Sequence, residues 1–266
     1  MSNKTKQQNT LTPSQEVGKQ IAHLFSGYLL TNEPAIKHLE SRGISRKMIE
    51  DEDVGFCPPF LNYWFPLMLG RIIVTIKDVH GNIVAFAGRQ YEPSAEAAKK
   101  ALRQMYEDKP ADAEKRILMW ERGKWLNEPF PKTKHLFNLN TAKDFARKRG
   151  YIIIVEGYFD ALVLASMGLE NTVAVCGTAL TDRHIALISR YCKNVVLLLD
   201  GDKAGTKAAT SMIPKLKEAE LIPHSIHLPD GYDPDEFVLK VGGKRFRRVI
   251  ENLISEGNQE LKINLK

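Results

Sequence analysis

Six carboxylates stand where they could do chemistry: Glu156, Asp160, Asp200, Asp202, Asp233 and Asp235. They fall into groups, and each group follows an apolar run. Tyr151-Ile152-Ile153-Ile154-Val155 ends in Glu156-Gly157-Tyr158-Phe159-Asp160, and the run 195–199 ends in Asp200-Gly201-Asp202. The run 225–228 is followed by a polar stretch that contains Asp233-Pro234-Asp235. Carboxylates brought together repel one another unless a cation lies among them, and hard oxygen donors of this kind suit magnesium or manganese. Asp-Gly-Asp and Asp-Pro-Asp are also common turn formers, and either alone carries that reading equally well. Acidic groups that recur directly after their strands favour an acidic metal cradle.

Such a cradle needs elements that bring the strand ends to one place. Runs apolar on both faces belong to parallel sheets covered by helices on both sides. Residues 172–175 give a further short strand between the first two runs, so strands are expected at 151–155, 172–175, 195–199 and 225–228. Helical patterns separate them. One covers 161–167 and stops at Gly168; Thr181-Asp182 caps another over 183–191. Ala204, Ala208, Met212 and Leu216 mark one face of a third, in which Pro214 should introduce a kink. The order is β-α-β-α-β-α-β. In such a sheet all strands end along one edge, which is where ligands bind, so the acids should converge there.

The chain has 266 residues, 43% hydrophobic and 26% charged, with a formal net charge of +6. That is enough for a sizeable core in one or two domains. The positive balance, set against an acidic site, places surplus basic residues elsewhere and suits a polyanionic partner. No run approaches the ~18 apolar residues of a membrane span, and residues 1–10 lack the apolar centre of a secretory signal. A cytoplasmic location with no membrane partner is expected. Cys57, Cys176 and Cys192 are widely spaced; they suit reduced thiols, and no zinc is expected.

Ahead of the acids, residues 1–13 read as a disordered tail. Helices are expected over 14–29, 32–43 and 44–49, followed by a hairpin from the β-rich runs 71–78 and 82–87. The charged, Ala-rich stretch 92–121 reads as a helical insertion with a solvated face. A further helix, 141–149, carries Lys143, Arg147, Lys148 and Arg149. This half supplies basic groups where the other supplies acids.

The acidic motifs, together with Gly177-Thr178-Ala179-Leu180-Thr181 and Lys203-Ala204-Gly205, resemble the TOPRIM domain of bacterial-type (DnaG-type) DNA primases. TOPRIM domains also occur in topoisomerases and nucleases, so the upstream motifs decide the matter. His38-Leu39-Glu40-Ser41-Arg42-Gly43-Ile44-Ser45 is similar to the family's Tyr-Leu-x-x-Arg-Gly-Leu-Ser, and 55–59 to its Gly-Phe-x-Pro-Pro. Phe86-Ala87-Gly88-Arg89 resembles its Gly-Gly-Arg, with Ala87 in place of the first glycine. Lys124-Trp125-Leu126-Asn127-Glu128-Pro129 and Lys132-Thr133-Lys134-His135-Leu136-Phe137 resemble its Lys-Tyr-Leu-Asn-Ser-Pro and following basic motif. Two departures are the longer stretch 92–121 and the expected lack of the zinc-binding and helicase-binding domains that flank the replicative enzyme.

The resemblance implies an α/β fold: a TOPRIM parallel sheet flanked by helices over 151–250, preceded by a smaller mixed α+β subdomain over 14–150, with a tail at 251–266. It implies RNA primer synthesis on single-stranded DNA from nucleoside triphosphates. Glu156, Asp200 and Asp202 would be the catalytic metal group, with Asp160, Asp233 and Asp235 as further magnesium or manganese ligands. Arg89, Lys124, Asn127, Lys132 and Lys134 would bind the triphosphate or the template backbone. Trp125 and Phe137 would either stack on bases or belong to the core. The alternatives are a TOPRIM nuclease and a non-catalytic nucleic-acid-binding subunit. A replicative helicase or a separate zinc-binding protein is the expected partner, with 92–121 and the basic segment 244–248 as its docking surfaces.

Overall fold

The computed structural model describes residues 13–61, 65–177 and 179–263. Residues 1–12 of the expected disordered tail, Thr178 of the Gly177–Thr181 motif and the last three residues lie outside these, whereas Pro13, counted in that tail, begins a helix. Among the described residues no helix is long and apolar enough to cross a membrane.

Helices α1 (Pro13–Leu30), α2 (Glu33–Ser41) and α3 (Arg46–Asp51) open the chain, as the periodicity predicts. Side-chain caps start the second and third: Asn32 accepts from the Ala35 N–H and Ser45 from the Met48 N–H. Gly43, at φ +86°, makes the turn between them. The expected hairpin is the centre of a larger antiparallel sheet. Its order is β1 (Gly55–Cys57), β2 (Arg71–Lys77), β3 (Ile83–Gln90) and β4 (Trp125–Asn127). Ile72 pairs with Arg89, and Arg89 with Trp125. Thus Arg89 and the strand after Lys124 are neighbours through the ladder, although 35 residues of sequence separate Arg89 from Lys124.

The stretch 92–121 is two helices, α4 (Ala95–Met105) and α5 (Pro110–Arg122), after a short 3-10 turn. It has the expected solvated face, but its other face is core. Ala98, Leu102, Ile117 and Trp120 are buried with Phe25, Ile73 and Phe86. The Trp120 indole N–H donates to the Leu69 carbonyl at 2.7 Å. Alanine on one side of a helix reads as propensity in a sequence; in the fold it also permits close packing.

After α6 (Leu139–Arg149) comes the parallel sheet, in the order β6 (Thr172–Ala174), β5 (Tyr151–Val155), β7 (Asn194–Leu198), β8 (Ile222–His227) and β9 (Glu260–Lys262). Every neighbouring pair is parallel. The four expected strands are present, and the fifth corrects the reading of 251–266 as a tail. That segment holds the end of α11 (Gly243–Ser255) and then β9, whose alternating polar residues suit a strand at the sheet edge, where one side lacks a ladder partner. Helices α7 (Tyr158–Ser166), α8 (Asp182–Ile188), α9 (Lys203–Glu218) and α10 (Pro234–Val241) connect and cover the sheet. Helix α9 runs on past Pro214. Helix α7 is apolar almost all round, with Leu162, Val163 and Leu164 fully buried, so it is an internal helix. Truncating Leu162 to Ala would cost roughly 2–5 kcal/mol.

The chain leaves β5 for β6 on one side, then returns to β7 on the other. This reversal opens a crevice beyond the carboxyl ends of β5 and β7, where an open α/β sheet binds ligands. Glu156 and Asp200 follow those two strands.

Candidate active site

A cleft of about 340 Å³ lies at this crevice. Its acidic wall carries Glu156, Asp160, Asp200, Asp233 and Asp235, and its other wall carries Arg42, Arg89, Lys124, Asn127 and Lys132. The acids come from the parallel sheet and the helices after it; the cations come from α2, the antiparallel sheet and the turn 132–134.

Burial and mutual repulsion set the acids' proton affinities. Asp200 is pushed up to about 7, first by burial and then by Glu156, Asp233, Asp202 and Asp235. Asp160 is pushed up to about 8 by burial, Asp235 and Asp200, against a Gly157 N–H that donates to its Oδ2 at 3.0 Å. Glu156 is also raised, by burial and then by Asp202, although a backbone N–H of Asp200 donates to it. Asp233 caps α10 in position but makes no side-chain cap bond. Asp235 is buried and already partnered: Arg42 Nη2 lies 3.1 Å from its Oδ2, and the Glu236 N–H donates to its Oδ1.

Two expected site residues stand outside the lining of the cleft. Asp202 is the N-cap of α9, its Oδ1 accepting from the Gly205 N–H at 2.7 Å; its charge still reaches Glu156 and Asp200. Lys134 lies exposed in the turn 132–134. Of the two aromatics, Trp125 lines the cleft, against Tyr158 and Phe159, whereas Phe137 is core.

The basic wall is held by aromatic faces and hydrogen bonds. Arg89 lies over the rings of Phe159 at 4.8 Å and Trp125 at 5.5 Å, and Arg42 over Phe159 at 5.2 Å. The Tyr158 hydroxyl donates to Asn127 Oδ1 at 2.6 Å. The turn bearing Lys132 is clasped to the start of α8. Thr181 Oγ1 donates to the Thr133 carbonyl at 2.8 Å, and His184 Nε2 to the Lys132 carbonyl at 2.9 Å. His184 Nδ1 in turn accepts from the Thr181 N–H, which fixes a neutral imidazole.

In the sequence Arg42 and Tyr158 stand out only as letters of motifs, Cys176 only as a reduced thiol, and His184 not at all. Arg42 ends a helix before a left-handed glycine, a local signal for capping. Only the long-range pairing with Asp235 turns it into the cleft. His184 carried one sequence signal: it stands three residues after a capping Thr, where a capping-box partner belongs.

The donor set fits a hard divalent cation, because it is carboxylate oxygen alone and its members raise one another's proton affinity. The acids line a wall, however. Among the described residues no three His, Cys, Asp or Glu side chains already converge as ligands around one point. Asp235 would join them with Arg42 still on its Oδ2 or after releasing it.

Residues 153–238 match the Toprim-like family, a domain type that binds divalent metal. The chain is 33% identical over 262 residues to the DNA primase of Aquifex aeolicus (strain VF5), covering 87% of this chain and 47% of that protein. It thus spans about half the length of the curated relative it matches. The crystal structure of the Aquifex aeolicus primase zinc-binding and RNA polymerase domains superposes with a TM-score of 0.72 at 32% identity, over 90% of this chain and 60% of the other. A DnaG primase catalytic domain bound to single-stranded DNA superposes with a TM-score of 0.70 at 25% identity, over 90% and 80%. The upstream motifs occupy the antiparallel half and the Toprim match the parallel sheet, so the chain is similar to the DnaG-type primases over both halves of their catalytic RNA polymerase domain.

Proposed function

We propose that this chain is a primase catalytic core, which synthesises short RNA primers on single-stranded DNA from nucleoside triphosphates. One observation carries the reading: a single cleft at the switch point of the Toprim sheet faces carboxylates with arginine and lysine. In the reaction a 3′-hydroxyl oxygen bonds to the α-phosphorus, the hydroxyl proton leaves, and the bond to pyrophosphate breaks. Magnesium or manganese, when bound, neutralises charge on the two reacting oxygens and the phosphate. Glu156, Asp200 and Asp202 would hold it, with Asp160, Asp233 and Asp235 as further ligands or as acids behind them.

The chain's own cations bind and orient. Arg89, Lys124 and Lys132 engage triphosphate oxygens, for which guanidinium and ammonium groups are suited. Asn127, its carbonyl engaged by Tyr158, offers its amide nitrogen as a donor. Lys134, beside the cleft, takes the template backbone, and the half-buried Trp125 offers a face to a base. A replicative helicase or a separate zinc-binding protein would supply start-site choice, because phosphate contacts position a strand without reading it. The site of action would be the cytoplasm, where the template is.

The test is incubation of the purified chain with labelled ribonucleotides and single-stranded template, with magnesium or manganese. Growth of short ribo-oligomers is expected. Template cutting without growth would point to a Toprim nuclease instead, and binding without either to a non-catalytic subunit.

A further inference from the structure

Among the described residues Arg71 is the largest fully buried side chain, and its partners are backbone carbonyls. Nη1 donates to the carbonyls of Gly88 at 3.2 Å and Gly123 at 2.9 Å, and Nη2 to the carbonyl of Trp120 at 2.9 Å. Burial pushes its pKa down to about 10, so it stays charged at neutral pH. Burying a guanidinium is costly unless its donors are met; both Nη atoms are met by these carbonyls, while the buried Nε has no partner.

Those carbonyls belong to particular residues. Gly88 immediately precedes Arg89 and Gly123 immediately precedes Lys124, the two cleft cations of the antiparallel sheet. One guanidinium nitrogen therefore bridges the peptide groups that lead into both. The third carbonyl, of Trp120, is in the last turn of α5, where carbonyls lack helical partners and a cation is favoured. Gln90 adds donors to the Trp120 and Glu121 carbonyls. A second, independent feature concerns Gly88. A Cβ there would lie 2.8 Å from Arg71 Cδ and 2.7 Å from Met68 Sδ, so the glycine before Arg89 is the gap through which the Arg71 stem passes.

We propose that Arg71 is a positioning residue for nucleotide binding, setting the spacing of Arg89 and Lys124 from beneath the sheet and tying the α4–α5 hairpin to the cleft. The inference rests on the reading of the cleft as a triphosphate site. A planar fork with fixed donor directions holds two carbonyls at a set separation; an ammonium does not. Two cations on one wall of a cleft that must meet the same ligand gain from such a brace, because a shift of about 1 Å in a binding group can cost as much as 100-fold.

The test compares Arg71→Lys, Arg71→Met and Gly88→Ala in the full chain, with Lys124→Ala as reference. The readouts are KM and kcat for ribonucleotide incorporation, equilibrium binding of a labelled ribonucleoside triphosphate with magnesium, and thermal melting. Arg71→Lys and Gly88→Ala are expected to raise the nucleotide KM and Kd about tenfold, with kcat changed far less. Gly88→Ala carries weight because it displaces Arg71 without changing it. A purely structural role would lower the melting temperature and the active fraction, hence kcat, and leave KM alone. If both milder variants fold and keep the parental KM while Lys124→Ala raises it, Arg71 has no positioning role. If both unfold, Arg71 serves stability alone and the inference is overturned. If Lys124→Ala also leaves KM and binding unchanged, the reading of the cleft itself fails and takes the inference with it.

Discussion

At the scale of the residue, the acids are poised by one another. Raised carboxylate pKa values mean that the folded state holds protons more tightly than the unfolded chain, whose aspartates titrate near 3.9. The sign follows: this contribution to stability is complete below about pH 4 and is lost as pH rises through about 7 for Asp200 and about 8 for Asp160. Metal-free protein should therefore melt at a lower temperature at pH 8 than at pH 6. Magnesium should reverse the loss; at 100 times its Kd it would add about 2.7 kcal/mol, or roughly 5–10 °C for a chain of this size. Asp200→Asn keeps the shape and removes an anionic ligand, so it should raise the metal-free melting temperature at pH 8, shrink the magnesium shift and abolish synthesis. Differential scanning fluorimetry across pH, with and without magnesium, checks this; a full magnesium shift in the variant would remove Asp200 from the metal site. The basic wall behaves differently. Lys124→Ala should leave the magnesium shift intact and raise the nucleotide KM roughly 10- to 100-fold, the worth of one charge-assisted hydrogen bond. Steady-state kinetics with varied nucleotide measures it, and an unchanged KM would show that Lys124 does not touch substrate.

At the scale of the element, the parallel strands were legible because an all-apolar run bounded by acid and glycine has few other readings. The hairpin was legible from its β-rich runs and from Gly81, which has φ +88°. Three other short strands were not: Gly55–Cys57, Trp125–Asn127 and Glu260–Lys262 have three residues each, too few for a period to show, and only ladder partners distant in sequence define them, whereas the equally short Thr172–Ala174 could be read from its place between two longer apolar runs. The same limit hid the clasp between α8 and the turn 132–134, since it joins side chains to carbonyls about 50 residues away. That clasp supports a third prediction. His184→Ala removes the partners of the half-buried Lys132 carbonyl and Thr181 N–H, which should cost roughly 1–3 kcal/mol for each group that water does not reach. His184→Gln should recover much of the loss, because a Gln at this helix position can accept from the cap N–H while its amide group donates. Chemical denaturation of the pair decides; equal stability of the Ala and Gln variants would mean that only imidazole volume matters there.

At the scale of the whole molecule, two sheets of opposite chemistry are fused by one core. Ile72, Val74 and Phe137 pack in the same apolar cluster as Ile153, Tyr158 and Ala174, and the backbone of Phe137 pairs with Ala174. Acids and cations can therefore face each other across a cleft without being neighbours in sequence. The fusion also changes how the α4–α5 hairpin should be probed. It is not a detachable surface, since its inner face holds Trp120, whose carbonyl accepts from Arg71, and deleting it would open the core. Substitution of its exposed Leu118 and Met119 leaves that face in place. If the hairpin docks a replication partner, Leu118→Ser together with Met119→Ser should leave basal synthesis and melting temperature near those of the parent and reduce the stimulation given by a cognate helicase or zinc-binding protein. The stimulation should be clearest at moderate salt, where unaided binding to template is weak, because each phosphate contact to a single strand steepens the log–log salt dependence by about 0.7. Primer yield against salt, with and without the partner, supplies the measurement. Equal stimulation of parent and double variant would move the docking surface elsewhere, the basic segment 244–248 at the start of α11 being next in line.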